Sequence, residues 1–102
     1  MKKIKIGLIG CGTIGSALAQ AISRDFKGYA SLDFLHEHQP AKALRLLRTL
    51  RLKAKIVSLS QLLRSSDLVI EAAATSISAQ VAIEALKLGK QVLIMSVGGL
   101  LE

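Results

Sequence analysis

The sequence predicts an α/β domain with a doubly wound parallel sheet, and three observations carry that prediction. Strand-like and helix-like apolar patterns alternate along all 102 residues. That order demands right-handed crossovers and a parallel sheet covered on both faces. The first strand, Lys3 to Ile9, alternates and then turns wholly apolar, as strands buried on both faces do. Three glycines, Gly10, Gly12 and Gly15, stand where that strand meets the first helix.

The elements follow in order. From Thr13 to about Arg24, Ile14, Leu18, Ala21 and Ile22 recur at helical spacing, and Asp25 to Gly28 break the helix. Tyr29 to His36 reads as the second strand. Pro40 suits a first helical turn, where its missing N–H costs nothing, and Ala41 to Leu50 continue that helix. Leu44, Leu47 and Leu50 are expected on one face of it, and Lys42, Arg45 and Arg48 on another. Lys55 to Val57 form a short third strand, and Ser58 or Ser60 caps a short helix over Gln61 to Arg64. Asp67 to Ala72 make the fourth strand. Ser76 or Ser78 caps a helix over Ala79 to Leu88, Gly89 ends it, and Gln91 to Met95 make the fifth strand. The expected arrangement is a single Rossmann-type domain over residues 1–102 with strand order 3-2-1-4-5. The fifth strand and the apolar "VGGLL" after it read as a surface needing a partner, either a substrate domain or a second copy.

Composition narrows the classes. A hydrophobic fraction of 51% with only 3% aromatics implies a core of Ile, Leu, Val and Ala. One cysteine excludes an intramolecular disulfide, one Cys with two His builds no thiolate zinc site, and both suit a cytoplasmic setting. The opening "MKKIK" superficially resembles a secretory signal, but the uncharged run Ile6 to Gly10 is short of the roughly 7–15 residues needed. No stretch approaches the ~18 uncharged apolar residues of a membrane span. A net charge of +7 fits a phosphate-bearing cofactor or a nucleic acid. The basic run of Lys42, Arg45, Arg48, Arg51, Lys53 and Lys55 reads as a solvated face, with phosphate attraction at the adenosine end as a second reading. Nucleic acid is disfavoured, because aromatics for base stacking are scarce and no nucleic-acid motif is present.

Gly10-Cys11-Gly12-Thr13-Ile14-Gly15 is a G-x-G-x-x-G that leaves a buried strand and opens a helix. Gly10 permits the turn, Gly12 lets a pyrophosphate approach the backbone, and Gly15 lets helix and sheet pack closely. The bare N–H groups around Gly12 to Ile14, with the helix dipole, then attract the phosphates. The pattern calls for an acidic residue about 20 positions on, to accept hydrogen bonds from a ribose. Glu37 stands there, while Asp33 falls inside the strand. A carboxylate repels a 2′-phosphate, so NAD is favoured, with NADP left open by His36, His38, Lys42 and Arg45 nearby.

With the fingerprint placed, "IKIGLIGCGTIGSALAQAI" resembles the opening of the aspartate dehydrogenase family of NAD(P)-dependent amino-acid dehydrogenases, parts of which homoserine dehydrogenases share. "HEHQPAKA" and "DLVIEAAATSISAQVAIEALKLGKQVLIMSVGGLLE" agree with it. The resemblance spans essentially the whole chain but only the family's cofactor-binding half. It implies that Gly10, Gly12 and Gly15 hold the pyrophosphate with Cys11, Thr13 and Ile14 beside them, and that Glu37 faces the adenosine ribose. Ala72, Ala73 and Thr75 leave room on the nicotinamide ribose side, and Ser96 approaches the nicotinamide. The family's substrate domain and catalytic histidine are expected after residue 102, so no catalytic residue is assigned here. The alternative is a non-catalytic dinucleotide-binding or assembly module. Cys11 is read as a small residue filling a tight loop rather than a redox sensor, with its thiol pKa expected to be lowered by the helix N-terminus. Glu71 is read as structural, and Ser76 and Ser78 as caps.

Overall fold

The computed structural model describes residues 2–73 and 78–95, the side chain of Ser78 excepted. Nine elements alternate: β1 (Ile4–Ile9), α1 (Thr13–Asp25), β2 (Ala30–His36), α2 (Pro40–Leu50), β3 (Lys55–Ile56), α3 (Leu59–Ser65), β4 (Leu68–Glu71), α4 (Ser78–Lys87) and β5 (Gln91–Ile94). All five strands are parallel, in the order β3-β2-β1-β4-β5. This is the arrangement the alternation of patterns predicted.

Strand alternation divides β1 between two cores. Ile6 and Leu8 join a cluster with Ala19 and Ile22 of α1 and Ala43 and Leu46 of α2. Ile9 joins a second cluster with Leu62 and Leu63 of α3 and Val81 and Ala85 of α4. Successive strand side chains point to opposite faces, so a strand roofed on both sides must be apolar at every position. In β4 the same logic sends Ile70 to the first core and Val69 to the second.

Three local features escape pattern reading. The β1–β2 register shifts between Ile6, opposite Leu32, and Gly7, opposite Phe34. Asp33 is the extra residue at that shift. Leu32 and Leu35, three apart, both reach the first core because of it. Gly7 is itself structural, because a Cβ there would overlap Ser66 Oγ and stand 2.7 Å from Leu62 Cδ2. Its bare backbone lets α3 lie against β1. The third feature closes α2, where Arg51 adopts the left-handed conformation (φ 52, ψ 46) and Leu52 N–H donates to Leu47 O at 2.9 Å.

The helical faces differ in part from the expected ones. α1 buries Gly15, Ala19 and Ile22, with Leu18 packed against them, while Ile14 lies on the exposed loop side. α2 buries Ala43 and Leu46, flanked by Leu47 and Leu50, and leaves Leu44 exposed. Small residues take the closest approach to the sheet, so the buried stripe centres on alanine rather than on the largest side chains. α3 begins two residues earlier than expected, with Ser58, one of the two expected caps, in place: Gln61 N–H donates to Ser58 Oγ at 3.2 Å. Gly89 ends α4 as predicted, at φ +74 with Lys90 N–H donating to Ala85 O at 2.9 Å. The expected start cap of α4 at Ser76 or Ser78 lies outside the described side chains.

Candidate functional site

The carboxyl ends of β1, β2 and β4 converge. Gly10 N–H donates to His36 O at 2.9 Å, and Ala72 N–H donates to Ile9 O at 2.8 Å. Gly10, at φ +97, turns the chain sharply out of β1, and a Cβ on it would meet Ala73 N at 2.7 Å. A Cβ on Gly15 would overlap the Gly10 carbonyl, so the first turn of α1 lies directly on the loop. Gly12 differs from both: no atom lies within 4 Å of a Cβ built there, and its φ of −80 is open to any residue. Two of the three glycines are therefore demanded by the fold, and the third leaves an open place.

That place carries donors. Gly12 is the N-cap of α1 and offers no side-chain cap. Helix geometry leaves the N–H groups of Thr13, Ile14 and Gly15 without intrahelical acceptors. A helix N-terminus bare of a capping oxygen, with space before it, is a receptor for an anion. Ser16 does not compete for this role, because its hydroxyl donates to Cys11 O at 3.1 Å.

A cavity of about 380 Å³ opens from the loop, lined by Gly10 to Ile14, Glu37, His38, Lys42, Ala72 and Ala73. Of the residues assigned from sequence, eight thus surround one space, and Gly15 sits beneath it. Thr75 and Ser96 lie outside the described residues. Glu37 follows directly on β2, its side chain only 5% exposed, with Oε2 3.7 Å from Nδ1 of the largely exposed His38. His36 instead turns away, its Nδ1 3.0 Å from Val57 O. Lys42, read from sequence as part of a solvated face, borders this cavity and also a groove of about 560 Å³ between α1 and α2.

Cys11 corrects one expectation. Burial, and then the neighbouring Glu37 carboxylate, push its thiol up to about 11, and the Lys42 ammonium offsets only part of this. Its side chain packs into the first core, so desolvation outweighs the helix N-terminus. What Cys11 presents to the loop is backbone. Glu71, which sequence reading placed at the strand end, is fully buried there. Among the described residues, no group of three or more His, Cys, Asp or Glu could hold a metal, and no helix is long and apolar enough to cross a membrane.

The family described as the homoserine dehydrogenase NAD-binding domain matches residues 10–102. The chain is 38% identical over 96 residues to an L-aspartate dehydrogenase of Methanocella arvoryzae, covering 94% of this chain and 35% of that one. It is 37% identical over 101 residues to the L-aspartate dehydrogenase of Nitrosopumilus maritimus, covering 96% and 36%. It therefore spans about a third of the length of these curated relatives. Among solved structures, the Acidithiobacillus ferrooxidans UDP-N-acetylglucosamine 3-dehydrogenase superposes with a TM-score of 0.74 at 28% identity, over 92% of this chain and 30% of that one. The fold also matches Lactobacillus casei myo-inositol dehydrogenase, solved with NAD(H) and myo-inositol, at a TM-score of 0.83 and 22% identity, over 91% and 28%.

Proposed function

This chain belongs to the family of homoserine dehydrogenase NAD-binding domains, and from that premise we propose that it is the coenzyme-binding part of an L-aspartate-dehydrogenase-like oxidoreductase. The observation that carries this is the empty volume before Gly12, faced by uncapped N–H groups at the start of α1.

The residues divide the work. Thr13 and Ile14 N–H donate to the pyrophosphate oxygens, and the α1 dipole adds to the attraction. The Glu37 carboxylate accepts hydrogen bonds from the hydroxyls of the adenosine ribose. The small side chains of Ala72 and Ala73 keep the β4 end clear for the ribose on the nicotinamide side, with Thr75 and Ser96 assigned to that same side. The nicotinamide ring supplies hydride transfer when it is bound. Binding and orientation are the tasks of this chain. The groups that hold an amino or imino acid and move its proton come from a substrate domain outside residues 1–102 or from another chain, consistent with the third of the relatives' length that is covered.

Glu37 favours NAD over NADP, because a 2′-phosphate would meet its carboxylate, although Lys42 and His38 beside it reduce that penalty. β5 ends the sheet with Leu93 45% exposed, and Ile83 and Leu86 of α4 are 53% and 65% exposed. The proposed assembly covers this edge by self-association or by the substrate domain, in the cytoplasm. Sedimentation of the chain at rising concentration tests the first of these. Titration with NADH and then NADPH, followed by nicotinamide fluorescence, tests the binding function. Saturable NADH binding that is tighter than NADPH binding is expected, and no binding of either would end the proposal.

A further inference from the structure

At the amino ends of the strands, opposite the glycine loop, a third concavity of about 680 Å³ opens between the carboxyl ends of α1 and α2 and the first residues of β2. Lys3, Arg24, Lys27, Arg51 and Lys53 line it, and no acidic residue does. Among the described residues none of these five cations forms an ion pair. Cations near helix carboxyl ends are partly explained by the helix dipole, and Arg24 in the last turn of α1 is such a case. Lys3 and Lys53 lie outside the helices, and the dipole does not account for them.

Arg51 adds a separate argument. It occupies the left-handed position that closes α2. Glycine is the usual occupant there, because a Cβ is disfavoured in that conformation. The fold thus holds a guanidinium beside the groove at a conformational cost.

The turn bordering the groove carries two of the chain's three aromatic residues. Phe26 is 51% and Tyr29 67% exposed. Tyr29 N–H donates to Phe26 O at 2.9 Å, and Ile4 N–H donates to Tyr29 O at 3.0 Å, which ties the turn to the segment bearing Lys3. Scarcity of aromatics argued against nucleic acid at the level of composition. The fold changes that argument by exposing two of them in the turn that also carries Lys27, next to Arg24. Cations for phosphates and open rings for bases are the two parts from which sequence-tolerant single-strand sites are built.

We propose that this end of the sheet binds single-stranded nucleic acid, with phosphates on Lys3, Arg24, Lys27, Arg51 and Lys53 and bases stacked on Tyr29 and Phe26. The glycine loop, at the carboxyl ends of the strands, stays free for a dinucleotide. The test is anisotropy of a fluorescein-labelled oligothymidylate. With all five cations engaged, log affinity falls with log salt at a slope of about −3.5, roughly 100-fold between 50 and 200 mM. The double variant Arg24→Ala/Lys27→Ala reduces the slope by about 1.4. Tyr29→Leu weakens binding about 5- to 150-fold and leaves the slope unchanged. Arg51→Gly, which suits the left-handed backbone, weakens binding without lowering the melting temperature. NADH titrations of these variants match the parent chain, so failure at this end of the sheet is separable from failure at the glycine loop. Oligonucleotide binding that ignores these substitutions would overturn the proposal, as would displacement by NADH. Tripolyphosphate competing equally well, with Tyr29→Leu silent, would also overturn it and leave a simple anion site.

Discussion

Gly12→Ser separates what the fold needs from what the ligand needs. The backbone at Gly12 is extended (φ −80, ψ −157), and nothing lies within 4 Å of an added Cβ. Serine therefore enters without collision. Its Oγ is placed to accept from the N–H of Ile14 or Gly15, supplying the side-chain cap that α1 lacks. The cap and the loss of unfolded-state freedom together stabilise the domain by about 0.3–1 kcal/mol. For a domain of this size that raises the melting temperature by about 1–8 °C. The same side chain fills the space proposed for the pyrophosphate and takes one of the donors proposed to hold it. Losing even one charge-assisted hydrogen bond costs about 1.5–3 kcal/mol, or roughly 10- to 150-fold in affinity. Calorimetric melting beside NADH titration reads both effects, and the expected outcome is a more stable protein that binds NADH poorly. Gly15→Ala is the contrast, because its Cβ overlaps the Gly10 carbonyl, so stability falls by about 1–3 kcal/mol. A Gly12→Ser protein that melts several degrees lower, or that binds NADH within threefold of the parent, would refute the argument.

Further expectations concern single residues. Gly7→Ala forces α3 off β1 and destabilises by about 1–3 kcal/mol in urea unfolding, although β1 is a strand in which alanine is ordinarily tolerated. Cys11 holds its proton more tightly folded than unfolded, its pKa rising from 9.0 to about 11. Its contribution is thus complete below pH 9 and lost as pH climbs through about 11. The stability difference between the parent and Cys11→Ala should shrink by about 1–2 kcal/mol across that window. Glu37→Ser removes the carboxylate from beside Lys42 and His38, and the ratio of NADPH to NADH affinity should rise at least about tenfold by fluorescence titration. Ser58→Ala deletes the α3 cap and costs about 1 kcal/mol in thermal or urea melts.

Much of the site was legible because it is written in backbone requirements. The G-x-G-x-x-G spacing, the strand before it and the acid after β2 are local facts, and the structure gathers Gly10, Gly12 and Glu37 around one cavity. Where expectation failed, a distant partner decided. Ile14 fits a helical stripe, yet at the first turn of α1 that direction faces the loop rather than the sheet. Leu44 fits one on α2, yet Ala43 makes the close approach. Cys11 sits at a helix N-terminus, yet its pKa follows from burial in a core assembled by other elements and from the charge of Glu37.

Apolar periodicity and glycine spacing alone determined the order of the elements, the parallel sheet and the place of the glycine loop, since each depends on neighbours along the chain. Only the tertiary structure decided that Gly7 is a packing glycine, that Leu32 and Leu35 share a face across the register shift at Asp33, and that Phe26 and Tyr29 stand open beside five cations. Those outcomes depend on which surfaces meet through space, and contacts between residues far apart in sequence leave no periodicity to read.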